Sequence, residues 1–181
     1  MTIAALLSAI GIFLPMYSPV KFILEPASFT LASHVPIFIA MFISPVIAVF
    51  VALITALGFL MAGIFPIVVV FRALTHVIFA FVGAYILMKK SHILLSWKTA
   101  VPFVFFISLL HAVAEVLVST IFYFNGQSTA NYLIVVVGLV GVGTLVHSTV
   151  DFIIASIVWV PLQKVISIPA NAKIRLRTAK N

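Results

Sequence analysis

Apolar residues run almost unbroken over positions 2–16, 31–43, 46–62, 67–88, 99–124 and 132–163. Short breaks separate them: Pro15 and Pro19, Ser44-Pro45, Gly63-Ile64-Phe65-Pro66, the basic stretch 89–98 and the polar stretch 125–131. A hydrocarbon core is crossed by roughly 20 apolar residues in a helix. The pattern therefore predicts an all-α membrane protein, a six-transmembrane-helix bundle with one domain over residues 1–181 and a basic C-terminal tail from about 165. Residues 17–30, with two prolines, Lys21 and Glu25, read as a loop of apolar character. The last run is too long for one straight span. Counting back roughly 20 residues from Lys164 reaches Thr144. The sixth helix is thus expected near Gly143, behind an extended or re-entrant cap over the Val-rich, Gly-punctuated 133–143. The alternative is a long tilted helix starting near Asn131.

The polar residues inside these runs recur at helical spacing. Arg72 precedes His76, His111 precedes Glu115, and His147 precedes Asp151, each by four positions. That spacing puts both members of a pair on one helix face. A charge at mid-bilayer costs roughly 2.5–3.5 kcal/mol on the insertion scale, so such residues face a protein interior or cavity. Of the three acidic residues, Glu25, Glu115 and Asp151, two are spent this way. At 1.5 Å rise per residue, Arg72, His76, Glu115, His147 and Asp151 lie roughly 6–15 Å below the outer helix ends, and His34 at a similar level. They are expected to line one outward-facing pocket. Arg72 offers a planar donor fork to a carboxylate or ring oxygen. The carboxylates accept from hydroxyl or ring N–H donors, and the imidazoles do either. Phe29, Phe71, Phe79, Tyr123 and Tyr132 are candidate aromatic walls.

Composition agrees with the pattern. Of 181 residues, 65% are hydrophobic and 7% charged, too little charge to cover a soluble surface. The net charge of +7 reads as topology rather than as affinity for nucleic acid. Lys89, Lys90 and Lys98 flank one loop, and Lys164, Lys173, Arg175, Arg177 and Lys180 crowd the C-terminal end. The positive-inside rule makes both places, and both termini, cytoplasmic. With no cysteine, thiolate metal sites are excluded. No cleavable signal is expected, because the first apolar run opens at Met1 without a basic n-region. No internal repeat or nucleotide motif is evident, so a self-sufficient carrier or ATPase is not expected.

Three features carry a family resemblance: Ala4-Ala5-Leu6-Leu7-Ser8-Ala9-Ile10 in the first helix, Ser33-His34-Val35-Pro36-Ile37-Phe38 opening the second, and the Gly-Ile-Phe-Pro turn. Over essentially its whole length the chain resembles the substrate-binding S components of energy-coupling factor (ECF) transporters. The resemblance implies a multi-pass protein of the bacterial plasma membrane, not an enzyme, that binds a small vitamin outside and topples to deliver it. It also implies a transmembrane coupling subunit and two cytoplasmic ATPases as partners, so ATP is used outside this chain, which needs no cofactor. Ala5 and Ala9, flanked by Ala4 and Ser8, match the family's small-residue docking face. Loops 17–30 and 63–66 would be the lid. The likeness is to members for hydroxymethylpyrimidine, pyridoxine or niacin, with pantothenate compatible. Arg72, His76, Glu115, His111, His34, His147, Asp151, Tyr123 and Asn131 are the candidate substrate-binding residues. Two further readings compete: an intramembrane metal-binding protein or metal transporter built on the His/carboxylate pairs, which Arg72 would oppose, and a structural subunit whose pairs only lock helices.

Overall fold

The computed structural model describes residues 2–24, 27–124, 128–165 and 169–174. Glu25, the polar residues Asn125, Gly126 and Gln127, and the basic residues Arg175, Arg177 and Lys180 lie outside the described residues. In chain order come α1 (Thr2–Tyr17), the hairpin strands β1 (Lys21–Leu24) and β2 (Ala27–Thr30), α2 (Val35–Ile43), α3 (Pro45–Ala62) and α4 (Ile67–Lys89). A short 3-10 turn (Ile93–Leu95) leads to α5 (Trp97–Tyr123), then α6 (Thr129–Tyr132), a π-helical stretch (Leu133–Val142) and α7 (Gly143–Val165).

Among the described residues, four segments are long and apolar enough to cross a membrane: α3, α4, α5 and the composite Thr129–Val165, which is 37 residues long. Their outer faces carry bare Leu57, Leu60, Phe81, Leu117, Ile153 and Ile157, as lipid contact requires. Of the six spans expected, the first two helices are shorter: α1 has 16 residues and α2 is shorter still. α2 has nine residues, about 14 Å of helix, and every one is buried. It is a half-span inside the bundle.

Its ends show why so short a helix is stable there. The C-terminal segment returns beneath it, and the amides of Asn171 and Ala172 donate to the Ile43 and Phe42 carbonyls at 3.3 and 2.9 Å. Trp159 Nε1 donates to the Ala172 carbonyl at 3.1 Å. These bonds satisfy acceptors that a helix end leaves open. At Ser44 the chain turns into α3, whose first turn is capped by the Ser44 hydroxyl (3.2 Å from Ile47 N) and started by Pro45. Above this end, Phe38, Phe42, Phe152 and Trp159 pack edge-to-face or tilted at centroid distances of 5.2–5.7 Å and fill the bundle from α2 to α7.

The loop expected over 17–30 is instead an antiparallel hairpin, pairing Lys21 with Thr30 through to Leu24 with Ala27. Strands of four residues carry too little alternation to be read from sequence, and such a ribbon needs outside support. It finds that on α7. A Cβ on Gly143 would meet the Phe29 ring at 2.5 Å, so the glycine is what lets the hairpin seat. The extended or re-entrant cap expected over 133–143 is likewise absent. The segment is helical throughout, in π geometry to Val142 and α geometry from Gly143. Valine and glycine disfavour helix in water, but lipid cannot bond a bare backbone, so the chain satisfies its own amides.

Candidate functional site

Seven of the polar residues expected inside the membrane converge between α2, α4, α5 and α7. Each i,i+4 pair does share a face, yet the short contacts run between helices. Glu115 on α5 is the hub. Its Oε2 accepts from Arg72 Nη2 at 2.7 Å and Nε at 3.1 Å, both from α4, and from the Thr144 hydroxyl of α7 at 2.7 Å. Its Oε1 lies 3.3 Å from His76 Nε2 and 3.3 Å from His111 Nε2. The forked guanidinium suits this role because two of its donors reach one carboxylate in fixed geometry.

Asp151 on α7 is a second hub, and it serves the backbone. Its Oδ1 accepts from the Ala32 amide at 2.8 Å, its Oδ2 from the His34 amide at 2.9 Å, and the His34 Nδ1 sits 3.1 Å from Oδ2. His147 Nε2 lies 3.3 Å from the same oxygen and 3.1 Å from the Ser33 hydroxyl. The clamped turn holds Ala32 at φ 67°, a left-handed conformation costly for a residue with a Cβ. Asp151 thereby fixes how the hairpin enters α2.

His34 stands at the centre. Its ring centroid is 4.7 Å from His76, 4.7 Å from His111 and 4.9 Å from His147. Phe79 closes the underside, 4.4 Å from the His111 ring. Above lies a cavity of about 80 Å³, walled by Phe29 of the hairpin, Phe59 of α3 and Phe65 of the 63–66 turn, with Arg72, His34, His76, Glu115 and His147 on its polar side. That is small beside the 300–1,000 Å³ of drug-sized sites.

His111 and Asp151 are fully buried behind this lining. Tyr123 and Asn131 are not part of it; Asn131 is exposed. Of the expected aromatic walls, Phe29 lines the cavity and Phe79 lies beneath it. Phe71 instead packs on Phe122 at the bundle surface, and Tyr132 on Phe124. Thr55, Phe59 and Thr144 line the cavity without having been singled out in the sequence, and Ser33 and Phe65, quoted there only within motifs, line it too. Hydroxyls in these helices usually bond their own backbone, as Thr120, Thr149 and Ser156 do, so Thr144 carries no distinguishing mark.

On α1 the expected small-residue strip splits in two. Ala4 and Ser8 are buried, with the Ser8 hydroxyl bonded to the Ala4 carbonyl at 2.8 Å. They pack inside the protein. Ala5 is exposed and Ala9 half-buried.

Among curated proteins the chain is 43% identical, over 159 residues, to the niacin transporter NiaX of Lactococcus lactis subsp. cremoris (strain MG1363), covering 84% of this chain and 69% of that protein. The chain belongs to the NiaX family. The S-component resemblance read from the first helix, the opening of the second and the Gly-Ile-Phe-Pro turn therefore stands, and the chain is a membrane transport protein rather than an enzyme. No family model and no solved structure matches it.

Proposed function

We propose that the chain is the substrate-binding S component of an ECF transporter and that its substrate is niacin. The observation that carries this reading is the 43% identity to a protein named as a niacin transporter. The cavity agrees in kind. It is small, has Phe29, Phe59 and Phe65 to face a single aromatic ring, and sets guanidinium, imidazole and hydroxyl groups at one side for a carboxylate and a ring nitrogen.

In this reading both termini and the 89–98 loop are cytoplasmic, and the hairpin and the 63–66 turn form the outer lid. A transmembrane coupling subunit docks on the Ala5–Ala9 face, where small residues allow close helix approach. Two cytoplasmic ATPases supply the energy, and this chain holds no cofactor of its own for that step. The bundle then topples as a unit to release its cargo inside. The half-length α2 suits that motion, because the core beneath the cavity is filled by aromatic side chains and leaves no straight inward path.

Calorimetry on the protein purified in detergent tests the assignment. Nicotinate should bind with a stoichiometry of one, and hydroxymethylpyrimidine, pyridoxine and pantothenate should not displace it. Displacement by any of these three at equal concentration would move the substrate assignment to that compound.

A further inference from the structure

The four groups His34, His76, His111 and Glu115 do more than contact one another. Their ligand-type atoms all lie within 4.8 Å of one another, and all four residues are buried. The three imidazoles form a near-equilateral triangle, with centroids 4.7, 4.7 and 4.8 Å apart at interplanar angles of 74–87°.

The hydrogen bonds divide the ligand atoms in a consistent way. Glu115 Oε2 is committed to Arg72 and Thr144, while Oε1 is turned to His76 Nε2 and His111 Nε2 at 3.3 Å each. That is long for an N–H···O bond, whose mode is about 2.9–3.0 Å. It is the spacing, about 3.3 Å, of ligand atoms around a tetrahedral ion bound at about 2.0–2.1 Å. His34 is held through Nδ1 by Asp151 at 3.1 Å, which leaves its Nε2 lone pair free. This carboxylate–imidazole relation is how metal-binding histidines are oriented. The Nδ1 atoms of His76 and His111 are buried with no hydrogen-bond partner among the described residues, which leaves each ring one bond short. The neighbouring group His34, His147 and Asp151 is a poorer candidate, because both Asp151 oxygens already accept backbone amides.

Charge supplies a reason for an ion. One guanidinium, Arg72, stands against two carboxylates, Glu115 and Asp151, so the cluster carries an excess negative charge, imidazoles aside. Nicotinate is an anion, and entering such a site is unfavourable without further positive charge. We infer that His34, His76, His111 and Glu115 bind a divalent first-row transition-metal ion, and that this ion gives the cavity the positive charge that holds a carboxylate ligand. Three imidazoles with one carboxylate suit Zn²⁺, Co²⁺ or Ni²⁺ rather than Mg²⁺ or Ca²⁺. Because His34, His76 and Glu115 line the cavity while His111 lies behind them, the ion's positive charge lies beside the bound solute. Arg72 does not repel the ion outright, since its charge is offset by Glu115 Oε2. The ion site itself stands on the residues named; its role in ligand binding rests on the niacin reading.

Co²⁺ is the probe. Chelator-stripped wild-type protein in detergent is titrated with Co²⁺ alone and followed by its visible absorption, with His111→Ala and His76→Gln beside it. Nicotinate and neutral nicotinamide are then titrated into stripped and Co²⁺-loaded wild type. The expected result is one equivalent of Co²⁺ with tetrahedral-type absorption, lost in both variants, and a gain in nicotinate affinity on the order of tenfold or more on loading, larger than for nicotinamide. Asp151→Asn should weaken Co²⁺ binding by roughly 10–100-fold. If stripped wild type takes up no Co²⁺, or both variants bind it like wild type, the ion site is refuted while niacin binding can still stand. If Co²⁺ binds as expected but nicotinate binds in neither state, the ion site stands and the niacin reading falls. Equal nicotinate affinity with and without Co²⁺ would refute the ion's role in holding the ligand. The wild-type measurements need no variant, so misfolding of His111→Ala leaves the test intact.

Discussion

Asp151→Asn should loosen the turn from the hairpin into α2 without removing a group from the cavity wall. In the wild type this carboxylate accepts the amides of Ala32 and His34 at 2.8 and 2.9 Å and orients the His34 ring at 3.1 Å. An asparagine keeps one acceptor oxygen and presents an NH₂ where the second stood. One buried backbone amide is then left facing a donor, at a cost on the order of 1–3 kcal/mol. The turn also holds Ala32 at φ 67°, which costs roughly 1–2 kcal/mol and is sustained by the same clamp. A loss of about 2–3 kcal/mol in the stability of residues 30–36 follows, raising the open fraction of that segment by roughly 30–150-fold. Hydrogen–deuterium exchange in detergent reads this directly, on peptides covering the hairpin and the start of α2. Nicotinate affinity should fall with the competent fraction. Ala32→Gly in the Asp151→Asn background should recover part of both, because glycine adopts that conformation without penalty. If Asp151→Asn weakens nicotinate binding while exchange at 30–36 is unchanged, the clamp is not how Asp151 acts.

Three further outcomes follow from the same geometry. Glu115→Gln takes the carboxylate from buried Arg72 and should cost about 3–5 kcal/mol, seen as a lower thermal midpoint, whereas Glu115→Gln with Arg72→Met should recover most of it; additive losses would mean the two do not act as a pair. Gly143→Val puts side-chain atoms where the Phe29 ring sits and should displace the hairpin, speeding nicotinate release in stopped-flow, while unchanged release would detach the hairpin from ligand retention. Ala5→Trp should leave nicotinate binding intact and abolish both uptake and co-purification with a coupling subunit, as Ala5 is exposed; Ala4→Trp, at a buried position, should instead destabilise the protein itself. Normal complex assembly by Ala5→Trp would remove that face of α1 from the docking surface.

The ends of α1, α3, α4 and α5 were legible in the sequence to within two residues, because in lipid an apolar run has one way to satisfy its backbone and polar breaks mark where it leaves the membrane. The same logic exposed the polar residues of the site. Arg72, Glu115 and Asp151 stand out only because ionised groups are so costly among Val, Leu and Phe that their presence demands a partner. The partners themselves were not legible. Spacing of four pairs His111 with Glu115 on one face, but that Glu115 also binds Arg72, His76 and Thr144 depends on how α4, α5 and α7 pack. Local periodicity carries no information about that. The hairpin was hidden for a related reason: four-residue strands have little pattern, and theirs is stabilised by α7 rather than by themselves. α2 misled in the opposite direction, since a nine-residue buried half-helix and a spanning helix are equally apolar. The sequence by itself determined that this chain lives in a membrane and that a handful of polar groups inside it must converge. Only the tertiary structure decided that Glu115 and Asp151 would be the two hubs, one binding side chains and the other holding the turn that carries His34, because side-chain partnerships between helices are set by three-dimensional packing.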